Sequence, residues 1–154
     1  MRIIQAEDIT RAVATAVIEA NTVLPPDICQ ALKQAYEKER MPRARYLLQV
    51  LLENAEIAKK EGLALCQDTG MTVVDIMIGQ EVHITGDLRE AVNEGIRVGY
   101  HQGHFRASVV KDPLIRVNTG DNTPCIMHTE IVPGDKMRIT VFPKGAGSEN
   151  MARA

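Results

Sequence analysis

The stretch from Gly62 to Gly79, GLALCQDTGMTVVDIMIG, is where the chain changes its period. Before it, apolar residues recur at helical spacing; after it, they alternate. Val74, Ile76 and Ile78 alternate with Val73, Asp75 and Met77, which predicts a strand. Gly62 after Lys59-Lys60 predicts the end of a helix, with cations at the negative end of its dipole. Between them lies Cys66-Gln67-Asp68-Thr69-Gly70, which puts a thiol, an amide, a carboxylate and a hydroxyl on one turn. Turns between packed elements are where functional groups concentrate. The same residues also suit a plain capped turn. In that case Asp68 and Thr69 bond local amides, Gly70 takes positive φ and Cys66 is a small core residue.

Upstream, the first sixty residues read as helices. Ile9, Val13, Ala16, Val17 and Ala20 form one apolar stripe. Beyond Pro25-Pro26, Ile28, Leu32, Ala35 and Tyr36 form a second. Pro42 opens a third helix, whose broad set of Leu47, Leu48, Leu51, Leu52, Ala55 and Ala58 predicts deep burial. Downstream, Gly79-Gln80 turns the chain into a short strand through Val82, His83 and Ile84. Asp87 with Glu90 resembles a capping box for a helix carrying Leu88, Val92 and Ile96, ending near Gly99 or Gly103. Leu114 to Val117 is a candidate strand. Pro124 to Val132 and Lys136 to Phe142, on either side of Pro133-Gly134-Asp135, predict a half-buried antiparallel hairpin. Helices first and strands later predict an α+β fold with helices packed on a mainly antiparallel sheet. The expected organisation is a helical segment over 1–62 and an α+β segment over 63–154, in one compact unit.

Composition narrows the function classes. The chain has 154 residues, 45% hydrophobic and 25% charged, which suits one globular domain. Its net charge of −2, from 18 Lys+Arg against 20 Asp+Glu, and its 3% aromatic content oppose nucleic-acid binding. Cys29, Cys66 and Cys125 are odd in number and widely spaced, which points to a reduced, cytoplasmic setting. No apolar run approaches the roughly 20 residues of a membrane span. Met1-Arg2-Ile3-Ile4 reaches Glu7 and Asp8 at once, without the apolar core of a signal peptide.

Other groups with possible chemistry stand apart. His101 and His104 could bind a metal, but no third ligand is near in sequence; Arg106 beside them could clamp a carboxylate bidentately. Cys125 and His128, three apart on a strand, point to opposite faces, which opposes a joint site. Cys29 beside Ile28 reads as core. Lys144-Gly145-Ala146-Gly147-Ser148-Glu149-Asn150 follows a strand, and its glycines let backbone amides converge on an anion, although a linker would look the same.

Taken together, three segments resemble class I (iron–sulfur) fumarate hydratase, in the N-terminal part of its α subunit. They are Cys66 to Gly70, then Asn122-Thr123-Pro124 with His128 to Asp135, then Lys144 to Asn150. L-tartrate dehydratase α subunits share the pattern. The resemblance implies a hydro-lyase with a [4Fe–4S] cluster, in which three cysteines hold three irons and the fourth iron binds substrate as a Lewis acid. By the same resemblance, Cys66 is a cluster ligand, Gln67 reaches the substrate, and Asp68 is the acid/base candidate. Arg106, in Phe105-Arg106-Ala107-Ser108, clamps a substrate carboxylate, and Gly145, Ala146 and Gly147 line the site, with Ala146 where the family usually has glycine. Cys29 and Cys125 match no cluster position. The chain is therefore expected to be part of a larger enzyme. The remainder of the α subunit and a β subunit or domain would complete the cluster and the pocket for a four-carbon dicarboxylate. Alone, it is expected to be inactive, cluster-free and a homodimer. The rival expectation is a non-catalytic interaction or regulatory module that docks through the apolar third helix.

Overall fold

The computed structural model describes residues 1–147. Its elements in order are β1 (Arg2–Gln5), α1 (Ala6–Thr22), α2 (Pro26–Lys38), α3 (Pro42–Glu61), β2 (Met71–Gly79), β3 (Val82–Thr85), α4 (Leu88–Gln102), β4 (Ile126–Val132) and β5 (Met137–Lys144). The fold is α+β. Contacts group these elements into two units. One contains Met1–Ala20 and continues from Gln67; the other is Asn21–Cys66. Among the described residues, no helix is long and apolar enough to cross a membrane.

The first unit is built on two strand–helix pairs. β1 leads into α1 and β3 leads into α4, and β1 pairs in parallel with β3, Arg2 opposite Val82 and Gln5 opposite Thr85. Asp87 caps α4 as its sequence predicts, its carboxylate accepting from the Glu90 amide at 3.0 Å. The two helices approach closely because α4 carries glycine at the contact. A Cβ on Gly95 would lie 2.7 Å from the Thr10 carbonyl oxygen, and one on Gly99 2.8 Å from Val17. Ile9, Val13 and Val17 of α1 and Val92 and Ile96 of α4 are fully buried, as are Val74 and Ile76 of β2. Burying each such side chain contributes about 1.5–3 kcal/mol. Thr72 on the same face of β2 donates to the Tyr100 hydroxyl of α4 at 3.3 Å.

The second sheet corrects the expected hairpin. Its order is β4-β2-β5, with β4 parallel and β5 antiparallel to β2. One sheet is thus parallel and the other mixed, instead of one mainly antiparallel sheet. Residues 133–136 do not turn a hairpin; they cross the end of β2. The amides of Gly79, Gln80 and Glu81 donate to the carbonyls of Lys136, Val132 and Gly134 at 2.8, 2.8 and 2.9 Å. A side chain on Gly79 would meet the Gly134 oxygen at 2.3 Å. Glycine there lets the crossover pass. Two further expectations fail. Leu114 to Val117 is an exposed loop, because Asp112 draws the amides of Leu114 and Ile115 into a local turn at 2.8 and 2.9 Å. β1 lies within the segment read as wholly helical.

The second unit holds α2 and α3. Each begins with proline in its first turn, and Gly62 ends α3 at φ 68 with its amide on the Ala58 carbonyl. Arg45 of α3 stacks 4.5 Å over the Tyr36 ring of α2. The expected deep burial of α3 is not found. Ala55 and Ala58 are buried, but Leu47 is 55% and Leu51 51% exposed. The cause is geometric: α2 covers one flank of α3, and a helix pair leaves the outer face of each helix open.

Candidate functional site

The turn from Gln67 to Gly70 is held from three sides. Gly70 sits at φ +60, and a Cβ there would lie 1.9 Å from the Lys144 carbonyl oxygen. The end of β5 therefore passes directly against it. Asp68 is half-buried and its two carboxylate oxygens are oriented separately. Oδ1 accepts from the Gly70 amide at 3.2 Å, and Oδ2 from the Gly147 amide at 3.4 Å. A side chain on Gly145 would crowd the Asp68 carbonyl at 3.1 Å and Oδ2 at 3.2 Å. Glycine at 145 thus makes room for the carboxylate, whereas a Cβ on Gly147 would lie 3.8 Å from Oδ2, an ordinary contact. Ala146 between them is exposed.

Thr69 is 3% exposed and ties the turn to the segment carrying Arg106. Its hydroxyl donates to the Arg106 carbonyl at 2.6 Å, and its own carbonyl accepts from the Tyr100 hydroxyl at 3.3 Å. Tyr100 in turn packs edge-on against Phe105, ring centres 5.7 Å apart. Asn122 makes the second tie. It is 0% exposed and adopts φ +61. Its Oδ1 accepts from the amides of Ser108 and Val109 at 2.7 and 3.2 Å, and its Nδ2 donates to the Gly70 carbonyl at 3.1 Å. Neighbouring Asp121 anchors that loop to α4 through Arg97 Nε at 3.1 Å. Burial alone would raise the Asp121 pKa, but the Thr123 amide and hydroxyl, the Thr119 hydroxyl and Arg97 hold it below its ordinary value.

The structure therefore brings together Asp68, the backbone of Gly145–Gly147 and the backbone of Arg106. The Gln67 and Arg106 side chains are exposed, and among the described residues no carboxylate pairs with Arg106. The arrangement offers an oriented carboxylate on a turn tied to the Arg106 backbone, with the Arg106 side chain exposed. The sequence presents Asn122 within the Asn122-Thr123-Pro124 segment of the family resemblance, with no role of its own, and Thr69 with a local capping role. Besides that motif, the local signal is an asparagine in the turn Gly120-Asp121-Asn122, a setting that favours positive φ.

The thiols separate by exposure. Cys66, immediately before Gln67 in the chain, is exposed; Cys29 is half-buried and Cys125 is buried. Burial pushes the Cys125 thiol up, which disfavours its thiolate. His101 and His104 are both exposed, and His128 lies outside with Asp75, 3.1 Å away. Among the described residues, no three His, Cys, Asp or Glu side chains gather in a group able to hold a metal ion. Ser148, Glu149 and Asn150 lie outside the described residues.

Comparison with known proteins agrees with the motifs. The chain is 36% identical over 141 residues to a Methanocaldococcus jannaschii protein named "Putative L(+)-tartrate dehydratase subunit alpha", covering 87% of this chain and 49% of that protein. It is 30% identical over 150 residues to the anaerobic class I fumarate hydratase of Escherichia coli K12, covering 96% of this chain and 27% of that protein. It is 24% identical over 143 residues to the L(+)-tartrate dehydratase subunit alpha of Escherichia coli UTI89, covering 90% and 47%. The chain thus spans about half or less of the length of these relatives. The profile of the family "Fumarate hydratase (Fumerase)" matches residues 10–154, and the chain belongs to that family.

Proposed function

We propose that this chain is the N-terminal, substrate-cradling region of a hydro-lyase that interconverts fumarate and L-malate. The observation that supports this most is the double tie, through Thr69 and Asn122, between the Asp68 turn and the Arg106 segment. It holds the Asp68 turn and the backbone at Arg106 on one frame, which supports a joint role for the two side chains. Arg106 pairs bidentately with one substrate carboxylate, and the Gln67 amide hydrogen-bonds the bound molecule. The backbone of Gly145, Ala146 and Gly147 lines the pocket beside it. Asp68, oriented by two amides, exchanges the proton of the hydration step.

The [4Fe–4S] cluster implied by the family resemblance takes about three or more protein ligands. The described residues bring one exposed thiol to the turn, Cys66, so they do not by themselves fit the cluster. In this reading Cys66 is the one thiolate this chain contributes. The other ligands come from the remainder of an α subunit, and a β subunit or domain completes the dicarboxylate pocket. The assembly is a homodimer.

L-Tartrate is the second reading, because two of the relatives carry tartrate dehydratase names. The test is an anaerobic assay of the intact, iron-loaded protein with fumarate, L-malate and L-tartrate. A higher kcat/KM for fumarate and malate is expected. A preference for tartrate would select the second reading. Turnover of none of them by cluster-loaded protein would contradict both and leave a non-catalytic module.

A further inference from the structure

We infer that Asn122 is a positioning residue for the reaction. It is 0% exposed and touches no substrate, but it fixes the direction in which the chain presents Arg106 to the Asp68 turn. This rests on the hydro-lyase reading above, in which Arg106 binds a substrate carboxylate, and adds the residue that aims it.

The segment carrying Arg106 and the loop that ends at Asn122 form one body. Asn118 Nδ2 donates to the Ala107 carbonyl and the Thr119 amide to the Val109 carbonyl, both at 2.9 Å. Asn122 Oδ1 accepts from the Ser108 and Val109 amides at 2.7 and 3.2 Å. The Ser108 hydroxyl is buried without a partner among the described residues, so bonds to the backbone hold the segment. From this body, Thr69 and Asn122 make the crossings to the Asp68 turn. The Thr69 hydroxyl reaches the Arg106 carbonyl at 2.6 Å, and Asn122 Nδ2 reaches the Gly70 carbonyl at 3.1 Å. The first bond alone is a pivot at Arg106; the second, further along the body, stops rotation about it. The turn is held separately from β5, by the Gly147 amide on Asp68 Oδ2 at 3.4 Å. Losing the Asn122 amide therefore turns the Arg106 segment and leaves the carboxylate in place.

The position selects asparagine. Its backbone lies at φ +61, a region asparagine enters several-fold more readily than most residues. The same side chain must accept from two amides and donate to a carbonyl. An ionised aspartate has no donor, and alanine has neither group. Asp121 holds the loop from its other side, through Arg97 of α4 at 3.1 Å, so the loop keeps an anchor when the Asn122 side chain is removed.

Steady-state kinetics of the intact, iron-loaded protein, with the dicarboxylate that the assay above selects, tests this in two backgrounds. Asn122→Gly keeps the positive φ without steric cost and removes the three side-chain bonds. It should lower kcat/KM by about 10²-fold, the scale of a misplacement of about 1 Å, chiefly through a higher KM. In an Arg106→Gln background no guanidinium is left to aim. There the same change should lower kcat/KM by less than about threefold, while the thermal midpoint falls as much as before. A loss carried in full into the Arg106→Gln background, or one that falls on kcat with KM unchanged, would overturn the positioning role and leave the hydro-lyase reading standing. A parent that turns over none of the dicarboxylates, or an Arg106→Gln variant with the parent's kcat/KM, would overturn that reading and this inference with it. Asn122→Asp, which keeps the acceptor for the Ser108 and Val109 amides, repeats the comparison if the glycine variant does not fold. Failure of both to fold would make Asn122 a structural residue and overturn the inference.

Discussion

Gly70→Ala is expected to lower stability by about 2–5 kcal/mol. An L-residue in the left-handed region costs about 1–2 kcal/mol, and Gly70 sits at φ +60. The new methyl would also lie 1.9 Å from the Lys144 carbonyl oxygen, which is backbone at the end of β5 and cannot rotate away. Forcing that strand outward costs about a further 1–3 kcal/mol. Gly62→Ala separates the two contributions. Gly62 has nearly the same φ, +68, but nothing within 4 Å of its added Cβ. It should show only the backbone cost, about 1–2 kcal/mol. Urea midpoints for the two variants check this, and equal shifts would mean that the turn yields to the methyl.

Cys66→Ser in the intact protein is expected to abolish cluster assembly and hydration activity together. A serine hydroxyl is a hard, weakly acidic donor that replaces a thiolate poorly at iron. Cys66 is exposed beside the turn, as a ligand to a shared group must be. Cys29→Ser and Cys125→Ser should keep their iron. Cys125 is 9% exposed, with its thiol pushed up by burial, so its replacement should cost stability instead. Iron and sulfide analysis after anaerobic reconstitution separates these outcomes. Full iron content in the Cys66 variant would remove it from the ligand set.

What could be read from the sequence was local. The Asp87–Glu90 cap, the Gly62 stop and the alternation of β2 each depend on residues a few positions apart, and each is found. The place of β2 between β4 and β5 depends on a crossover at Gly79–Glu81, and alternation identifies a strand without naming its neighbours. The apolar breadth of α3 measured how much surface wants cover, but not whether anything covers it. β1 is four residues long with no buried side chain, too little pattern to distinguish from the helix it precedes. At the site, the resemblance singled out Asp68, Arg106 and Gly147 one by one. Their convergence runs through the Thr69–Arg106 and Asp68–Gly147 bonds, between positions 37 and 79 residues apart, so it needed the fold. Asn122 serves the site only through three bonds to distant backbone, which no turn pattern contains.

The role proposed for the Asp68 turn is chemistry as well as packing. Turnover of fumarate by Asp68→Asn, measured beside its thermal midpoint, tests it most directly. The asparagine oxygen can still accept from the Gly70 amide, so the structural loss is limited to the 3.4 Å bond from Gly147, about 1 kcal/mol. The expected kcat is about 10²–10⁴-fold lower, the usual effect of removing a positioned proton-transfer group, with iron content unchanged and a midpoint lowered by only a few degrees. A variant that melts far earlier yet turns over fumarate at nearly the parent rate would contradict it, leaving Asp68 as the cap of a turn.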